Sequence, residues 1–77
     1  MNDVTVTECP VCRGRAEEAR TTGDWRDIRC PECGDYLISN SADVEFENLS
    51  PEQRRAELDR AKKEARPGQK PLIANIV

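Results

Sequence analysis

Two short cysteine motifs decide the fold of this chain: Cys9-Pro10-Val11-Cys12 and Cys30-Pro31-Glu32-Cys33, which are separated by 17 residues. Two residues between the cysteines of a motif let one tight turn present both sulfurs on the same side. A proline stiffens each turn at the same place. Gly34 follows the second motif, where a residue with positive φ is often needed, whereas Arg13 takes that position after the first motif and Gly14 comes one residue later. The first turn is therefore predicted to differ slightly from the second.

Two such pairs at this separation are typical of a four-cysteine zinc site. Zn²⁺ prefers four thiolates in a tetrahedron, and Cys9, Cys12, Cys30 and Cys33 supply all four, so no position is left for a catalytic water. We therefore predict one structural Zn²⁺. Its binding free energy, on the order of 10 kcal/mol, is comparable with the whole stability of a small domain, so the fold is expected to depend on the metal.

Three other uses of the cysteines stay open at this point. Iron also accepts four thiolates in a tetrahedron. Two disulfides are typical of secreted chains, and nothing in the sequence suggests secretion. A thioredoxin-like redox pair needs its C-x2-C motif at the start of a helix in a βαβ unit, and neither motif has that setting.

Composition restricts the class of function. The chain has 77 residues, of which 35% are charged and only 4% aromatic, with no histidine and a net charge of −3. This composition allows one small domain whose apolar core is too small to stabilise the fold alone, so an additional stabilising element is expected. It disfavours an enzyme, a small-molecule pocket and a nonspecific nucleic-acid binder. The absence of a leader-like start and of a long apolar run predicts a cytoplasmic chain without membrane contact.

Short strands are predicted around the cysteine motifs. Residues 3 to 8 alternate with period two, and residues 25 to 29 and 35 to 39 have the composition of strands. Residues 13 to 20 are predicted as another strand, with a helical turn as the alternative. A loop is expected over residues 40 to 43. The predicted fold class is a small metal-stabilised α+β fold, with short antiparallel strands followed by one C-terminal helix.

That helix is predicted over about residues 51 to 65. Ser50 is a favoured N-cap, Pro51 suits the first helical position, and Gln53 can close a capping box. The stretch from Pro71 to Val77 is the most apolar of the chain, and it is expected to pair back as a strand, to dock on a partner or to begin a longer element. These features divide the chain into residues 1 to 40 and an appended segment, 41 to 77, with an acidic loop, the helix and the apolar tail.

Residues 3 to 40 resemble the zinc ribbon family, because the motifs CPVC and CPECG are flanked by strand-like segments and the second has the CPxCG form. Rubredoxins share this turn and bind iron, but their cysteine pairs are farther apart and their cores are rich in aromatic residues. The resemblance implies a metal and a fold but no single function. Zinc ribbons occur in transcription and replication factors, ribosomal proteins and regulatory subunits, and as appendages of bacterial and phage proteins.

Two surfaces could carry the function. Arginines beside an aromatic residue are typical of nucleic-acid contacts, and the candidates are Arg13, Arg15, Arg26, Arg29 and Trp25. Apolar residues in the appended segment are candidates for a protein interface or for self-association, namely Leu58, Leu72, Ile73, Ile76 and Val77. Trp25 itself is expected in the core, since the chain has few aromatic residues. The favoured prediction is a non-catalytic module that binds a protein. The alternatives are a nucleic-acid-binding ribbon and, less favoured, a thiol redox protein.

Overall fold

The computed structural model describes residues 4–21 and 23–74, and these ranges form one mixed sheet and two helices. The strands are β1 (Val4–Glu8), β2 (Arg15–Ala19), β3 (Trp25–Cys30), β4 (Gly34–Ser39) and β5 (Leu72–Ile73), and the helices are α1 (Asn40–Phe46) and α2 (Pro51–Glu64). The sheet order is β1-β2-β3-β4-β5, antiparallel from β1 to β4 and parallel between β4 and β5. The predicted small α+β class is confirmed, and β2 replaces the helical turn considered for residues 13 to 20.

The loop predicted over residues 40 to 43 is wrong, because α1 begins there and gives the described residues a second helix. Ser39 is the N-cap, and its Oγ accepts a hydrogen bond from the backbone N–H of Ala42 at 3.1 Å. Phe46, at the end of α1, is buried. The cap and this apolar anchor outweigh the loop-like composition of the segment.

The prediction for α2 is confirmed to within one residue at its end. Its N-cap Ser50 accepts from the backbone N–H of Gln53 at 3.2 Å, and the Gln53 side chain accepts from the backbone N–H of Ser50 at 2.9 Å. These reciprocal bonds form the predicted capping box. The helix buries Leu58 and Ala61, and also Arg54.

The sheet has one covered face and one face without helices. Side chains alternate along each strand, and the covered face contributes Ile28, Tyr36, Ile38 and Ile73 to a core that also contains Phe46. Residues from both helices belong to the same core. The opposite face, called the outer face below, carries mostly exposed or half-buried residues.

Trp25 lies on the outer face with 44% of its surface exposed, so the expectation of a core position was wrong. Alternation explains this, because Ile28 and Cys30 point into the core and Trp25 stands on the opposite side of the same strand. The indole lies against Gly23, where a Cβ atom would come within 2.3 Å of the ring. The core is instead filled by Tyr36 and Phe46, the two other aromatic residues.

The apolar tail pairs back onto the sheet, which is one of the three outcomes considered for it. Leu72 and Ile73 align with Leu37 and Ile38 of β4, and the backbone N–H of Leu37 donates to Pro71 at 2.8 Å. Residues 75 to 77 lie outside the described residues.

Candidate metal centre

The first cysteine turn, Cys9 to Gly14, connects β1 to β2. The backbone N–H of Arg13 donates to the carbonyl of Cys9 at 2.8 Å, and the N–H of Cys9 donates to the carbonyl of Gly14 at 2.8 Å. Arg13 has a φ of 66°, the left-handed region that the sequence pattern predicted for a glycine. The N–H of Gly14 approaches the Sγ of Cys12 at 3.4 Å, so the backbone also donates to a ligand sulfur.

The second cysteine turn, Cys30 to Gly34, connects β3 to β4. Gly34 has a φ of 88° and occupies the position that Arg13 holds in the first turn. Although burial opposes it, the pKa of the Cys30 thiol is lowered, because the backbone N–H groups of Cys33 and Glu32 donate to its sulfur. Such donors stabilise a thiolate and are the usual support of a metal-bound cysteine.

The two turns bring all four sulfurs together. The Sγ atoms of Cys9, Cys12, Cys30 and Cys33 lie within 4.8 Å of one another. Cys9 and Cys33 are 3.8 Å apart, and Cys12 and Cys30 are 3.6 Å apart. Zn–S bonds of about 2.3 Å in a tetrahedron place the sulfurs about 3.8 Å from one another, so the donor set fits Zn²⁺. The cluster could hold one metal ion, and its four ligands would fill a tetrahedron.

Burial of the cluster explains why a cation would be favourable there. Cys9, Cys30 and Cys33 are buried, and burial raises the pKa of the Cys33 and Cys12 thiols. Four adjacent thiolates without a cation would repel one another. A divalent ion removes this cost and favours the deprotonated form of every ligand.

Tyr36 supports the cluster through its side chain. It is fully buried, and its hydroxyl lies 3.0 Å from the Sγ of Cys9. Burial raises its pKa, so the hydroxyl remains protonated and can donate to the sulfur. The sequence placed Tyr36 in a strand, but it gave no signal that this hydroxyl would reach a ligand 27 residues away.

The other uses of the cysteines find less support in this geometry. None of the four cysteines is joined in a disulfide within the described ranges. Neither turn lies at the N-terminus of a helix, because each connects two strands. A redox pair with a thiolate stabilised by a helix end is therefore not the arrangement found here.

The predicted nucleic-acid residues do not form one surface. Arg26 is half-buried and donates to Glu18 at 2.8 Å, to Asp43 at 3.0 Å and to the hydroxyl of Thr7 at 3.1 Å. The hydrogen bond to Glu18 raises the pKa of Arg26. Arg26 thus ties α1 to the sheet. Arg13 pairs with Glu8 at 3.3 Å.

The remaining candidates share the outer face. Arg15, Arg29 and Trp25 stand at alternating positions there, and neither arginine forms an ion pair within residues 4–21 and 23–74. Glu17 and Asp35 flank Arg29 in the strand register on the same face. The outer face is consequently mixed in charge and not basic.

The predicted protein-interface residues are also divided. Leu58 and Ile73 are each 2% exposed and belong to the core, so they offer no surface to a partner. Leu72 is 48% exposed and lies on the outer face beside Leu37. Ile76 and Val77 lie outside the described residues.

Arg54 contacts the first cysteine turn, although it is not among the site residues predicted from the sequence. Arg54 in α2 is only 7% exposed, and its Nε donates to the carbonyl of Val11, in the middle of the first cysteine turn, at 2.9 Å. The signal was its spacing, since Arg54 precedes Leu58 by four residues and Ala61 by seven, which places the three on one helix face.

Comparison with known proteins gives no family for this fold and site. No family model matches the chain, no curated protein matches it, and no solved structure matches it. Within the described ranges, neither α1 nor α2 has the length and hydropathy needed to cross a bilayer. The class that fold and site define is a small β-sheet protein with a four-cysteine metal-binding cluster.

Proposed function

We propose that this chain is a non-catalytic zinc ribbon module, in which one structural Zn²⁺ holds the two cysteine turns together and the outer face of the sheet binds a protein partner. The observation that carries the proposal is the convergence of four cysteine sulfurs, all within 4.8 Å of one another, from Cys9, Cys12, Cys30 and Cys33. Four thiolates complete the coordination of zinc, and no His, Asp or Glu joins the cluster within the described residues. A closed site of this kind supports a structural role.

The interaction surface is a patch on the outer face, called the outer patch, made of Trp25, Leu37 and Leu72. These residues line one open depression next to Asp27 and Lys70. Trp25 and Leu72 are 44% and 48% exposed, respectively, and Leu37 is half-buried between them. An exposed tryptophan within an apolar patch is the composition of a protein-binding hot spot.

Charge around the outer patch indicates the kind of partner. Asp27 and Lys70 neutralise each other at 2.8 Å. Arg20 lines the same depression and has no ion pair within the described ranges. The unpaired charge at the patch is therefore positive. We propose as occupant a segment of a partner protein that places apolar side chains on Trp25 and a carboxylate near Arg20.

A protein partner is favoured over a nucleic acid by the charges of the same face. A nucleic-acid surface needs several cations free to meet phosphates. Arg29 has carboxylates on both neighbouring strands, and the chain carries a net charge of −3. Arg26 is engaged by Glu18 and Asp43.

The metal half of the proposal is tested by native mass spectrometry with circular dichroism on the same sample. One zinc ion per chain, lost on chelation together with the folded signal, is the expected result. A chain that stays folded after chelation would overturn the structural role of the metal.

The surface half is tested by selecting random linear peptides against the zinc-loaded chain. We expect enriched peptides that combine an apolar residue with Asp or Glu. Trp25→Ser should weaken peptide binding by about tenfold or more, since a tryptophan that becomes buried on binding commonly contributes that much. Val44→Ser is the matched control, because Val44 is 62% exposed but lies on α1.

Three results would overturn the proposed partner. One is peptide binding that Trp25→Ser leaves unchanged, and another is the enrichment of no peptide. The third is a concentration-dependent dimer that Trp25→Ser dissociates, because the outer patch would then bind a second copy of the chain.

A further inference from the structure

Arg54 is a buried cation without an acidic partner. Only 7% of its surface is exposed, and it lies on the face of α2 that also buries Leu58 and Ala61. It forms no ion pair within residues 4–21 and 23–74. Arg26, by contrast, is more exposed and binds two carboxylates. A buried guanidinium normally needs a compensating negative charge, because removing it from water is costly.

The contacts of Arg54 lead to the metal centre. Its Nε donates to the carbonyl of Val11 at 2.9 Å, and one terminal nitrogen donates to the carbonyl of Leu49 at 2.6 Å. Val11 is 1% exposed and lies between the ligand residues Cys9 and Cys12. The guanidinium therefore holds the backbone of the first cysteine turn itself.

A four-thiolate zinc centre supplies the charge that Arg54 lacks. Four thiolates and one Zn²⁺ together carry a charge of −2, and half of these ligands belong to the turn that Arg54 contacts. Backbone carbonyls offer only partial charges. The fork of the guanidinium, with Val11 on one side and Leu49 on the other, fixes its position at this turn.

We infer that Arg54 is the buried counter-charge of the four-cysteine centre, and that through it zinc binding and the docking of α2 on the first cysteine turn stabilise each other. The inference rests on the proposed zinc centre. It assigns to α2 a role beyond core packing, since the helix supplies a cation to the metal site. The coupling is reciprocal, so a helix that docks more weakly lowers zinc affinity, and loss of zinc weakens the docking of the helix.

The test compares four chains: the wild type, Arg54→Met, Arg54→Lys and Arg55→Met. Methionine keeps much of the side-chain length but removes the charge and the hydrogen bonds. Lysine keeps the positive charge but lacks the planar guanidinium that donates to two carbonyl groups at once. Arg55 is the neighbouring position on α2, and it is exposed without an ion pair in the described ranges. Zinc affinity is measured by competition with a chromophoric chelator at fixed pH.

We expect Arg54→Met to weaken zinc binding by about 10- to 100-fold, as loss of a supporting group around a metal typically does. Arg54→Lys should fall between Arg54→Met and the wild type, and Arg55→Met should bind as the wild type does. The inference is overturned if Arg54→Met binds zinc as tightly as Arg55→Met. It is also overturned if Arg54→Lys is as weak as Arg54→Met, because the charge would then have no role.

A spectroscopic readout separates a counter-charge from a purely structural contact. With Co²⁺ in place of zinc, loss of a nearby cation should shift the sulfur-to-cobalt charge-transfer bands to lower energy, while the ligand-field bands keep their tetrahedral form. The shift is expected in Arg54→Met and should be largely absent in Arg54→Lys. Unshifted bands in Arg54→Met would overturn the inference.

Two failures remain distinguishable. If Arg54→Met does not fold, the Arg54→Lys chain provides the test. Unshifted sulfur-to-cobalt charge-transfer bands and a zinc affinity within about tenfold of the wild type support the role of Arg54 as counter-charge. Loss of zinc binding in Arg54→Lys overturns it. If the wild-type chain binds neither Zn²⁺ nor Co²⁺, the proposed zinc centre fails together with this inference.

Discussion

The two cysteine turns share one sequence pattern but have different surroundings. In the first turn, Pro10 and Val11 are buried, and Cys9 is fully buried. In the second turn, the corresponding residues Pro31 and Glu32 are exposed. Both turns place cysteines in the core, but only the first turn also buries the two residues between its cysteines.

Contacts from distant parts of the chain account for this difference. Arg54 of α2 reaches the carbonyl of Val11, and Tyr36 of β4 reaches the sulfur of Cys9. The sulfur of Cys30 instead receives donors from the backbone of its own turn. The first turn is thus where α2, the sheet and the four-cysteine cluster meet, and substitutions at matched positions can separate these roles.

Loss of one cysteine ligand should have the largest effect on zinc content and stability, and the effect should be the same for either turn. Each of Cys9→Ser and Cys30→Ser removes one of four thiolates, so we expect both chains to lose zinc and cooperative folding. The reason is that the binding free energy of such a site, on the order of 10 kcal/mol, matches the total stability of a small domain. Metal content by native mass spectrometry and thermal unfolding by circular dichroism check this.

Ser41→Ala, at an exposed position on α1, provides the control and should keep both zinc and fold. A Cys30→Ser chain that still unfolds cooperatively without metal would mean that the core alone is sufficient. The second turn would then be dispensable for stability.

Alanine substitution at the third position of each motif, Val11 or Glu32, should show the largest difference in stability between the two turns. Val11→Ala removes two methyl groups from a side chain that is 1% exposed, and we expect it to destabilise the zinc-loaded fold by about 2 kcal/mol. Glu32→Ala changes an exposed side chain and should alter the free energy of unfolding by less than about 0.5 kcal/mol. Urea denaturation of both variants at the same zinc concentration gives the comparison.

Equal effects at Val11 and Glu32 would contradict the different burial of the two turns. Zinc affinity should change little in Glu32→Ala. Any change in Val11→Ala should follow the loss of stability, because neither side chain supplies a ligand.

The sequence predicts well those parts of the fold that are set by local chemistry. The cysteine spacing, with Gly34 after the second motif, predicts both turns and their convergence. Ser50, Pro51 and Gln53 predict the start of α2, because the groups that satisfy its first turn are all local. The strand before the first motif follows from its alternating residues, and the strands on either side of the second motif follow from their composition.

Features set by distant contacts could not be predicted in the same way. Helix α1 depends on the burial of Phe46, which no local pattern reveals. The exposed position of Trp25 follows from which face the helices cover, a property of the whole sheet. The spacing of Arg54 from Leu58 and Ala61 places it on the buried face of α2, but the carbonyl group that it contacts in the first cysteine turn is distant in sequence and no local pattern indicates it.

Substitution of the positive-φ residue that ends each turn, Arg13 or Gly34, should change the free energy of unfolding least, and with opposite signs in the two turns. Arg13 has a φ of 66°, a conformation that costs an L-residue about 1 kcal/mol, so Arg13→Gly relieves strain in the fold but adds freedom to the unfolded chain. We expect a stabilisation of about 0.5 kcal/mol or less. Gly34→Ala should destabilise the fold by about 1 kcal/mol through the backbone alone, because a Cβ atom there meets nothing within 4 Å.

Arg13→Ala is the control, because it removes only the exposed ion pair with Glu8 and should have almost no effect on the free energy of unfolding in urea denaturation. A destabilising Arg13→Gly beside a neutral Arg13→Ala would show that the first turn is tight for reasons other than its φ angle.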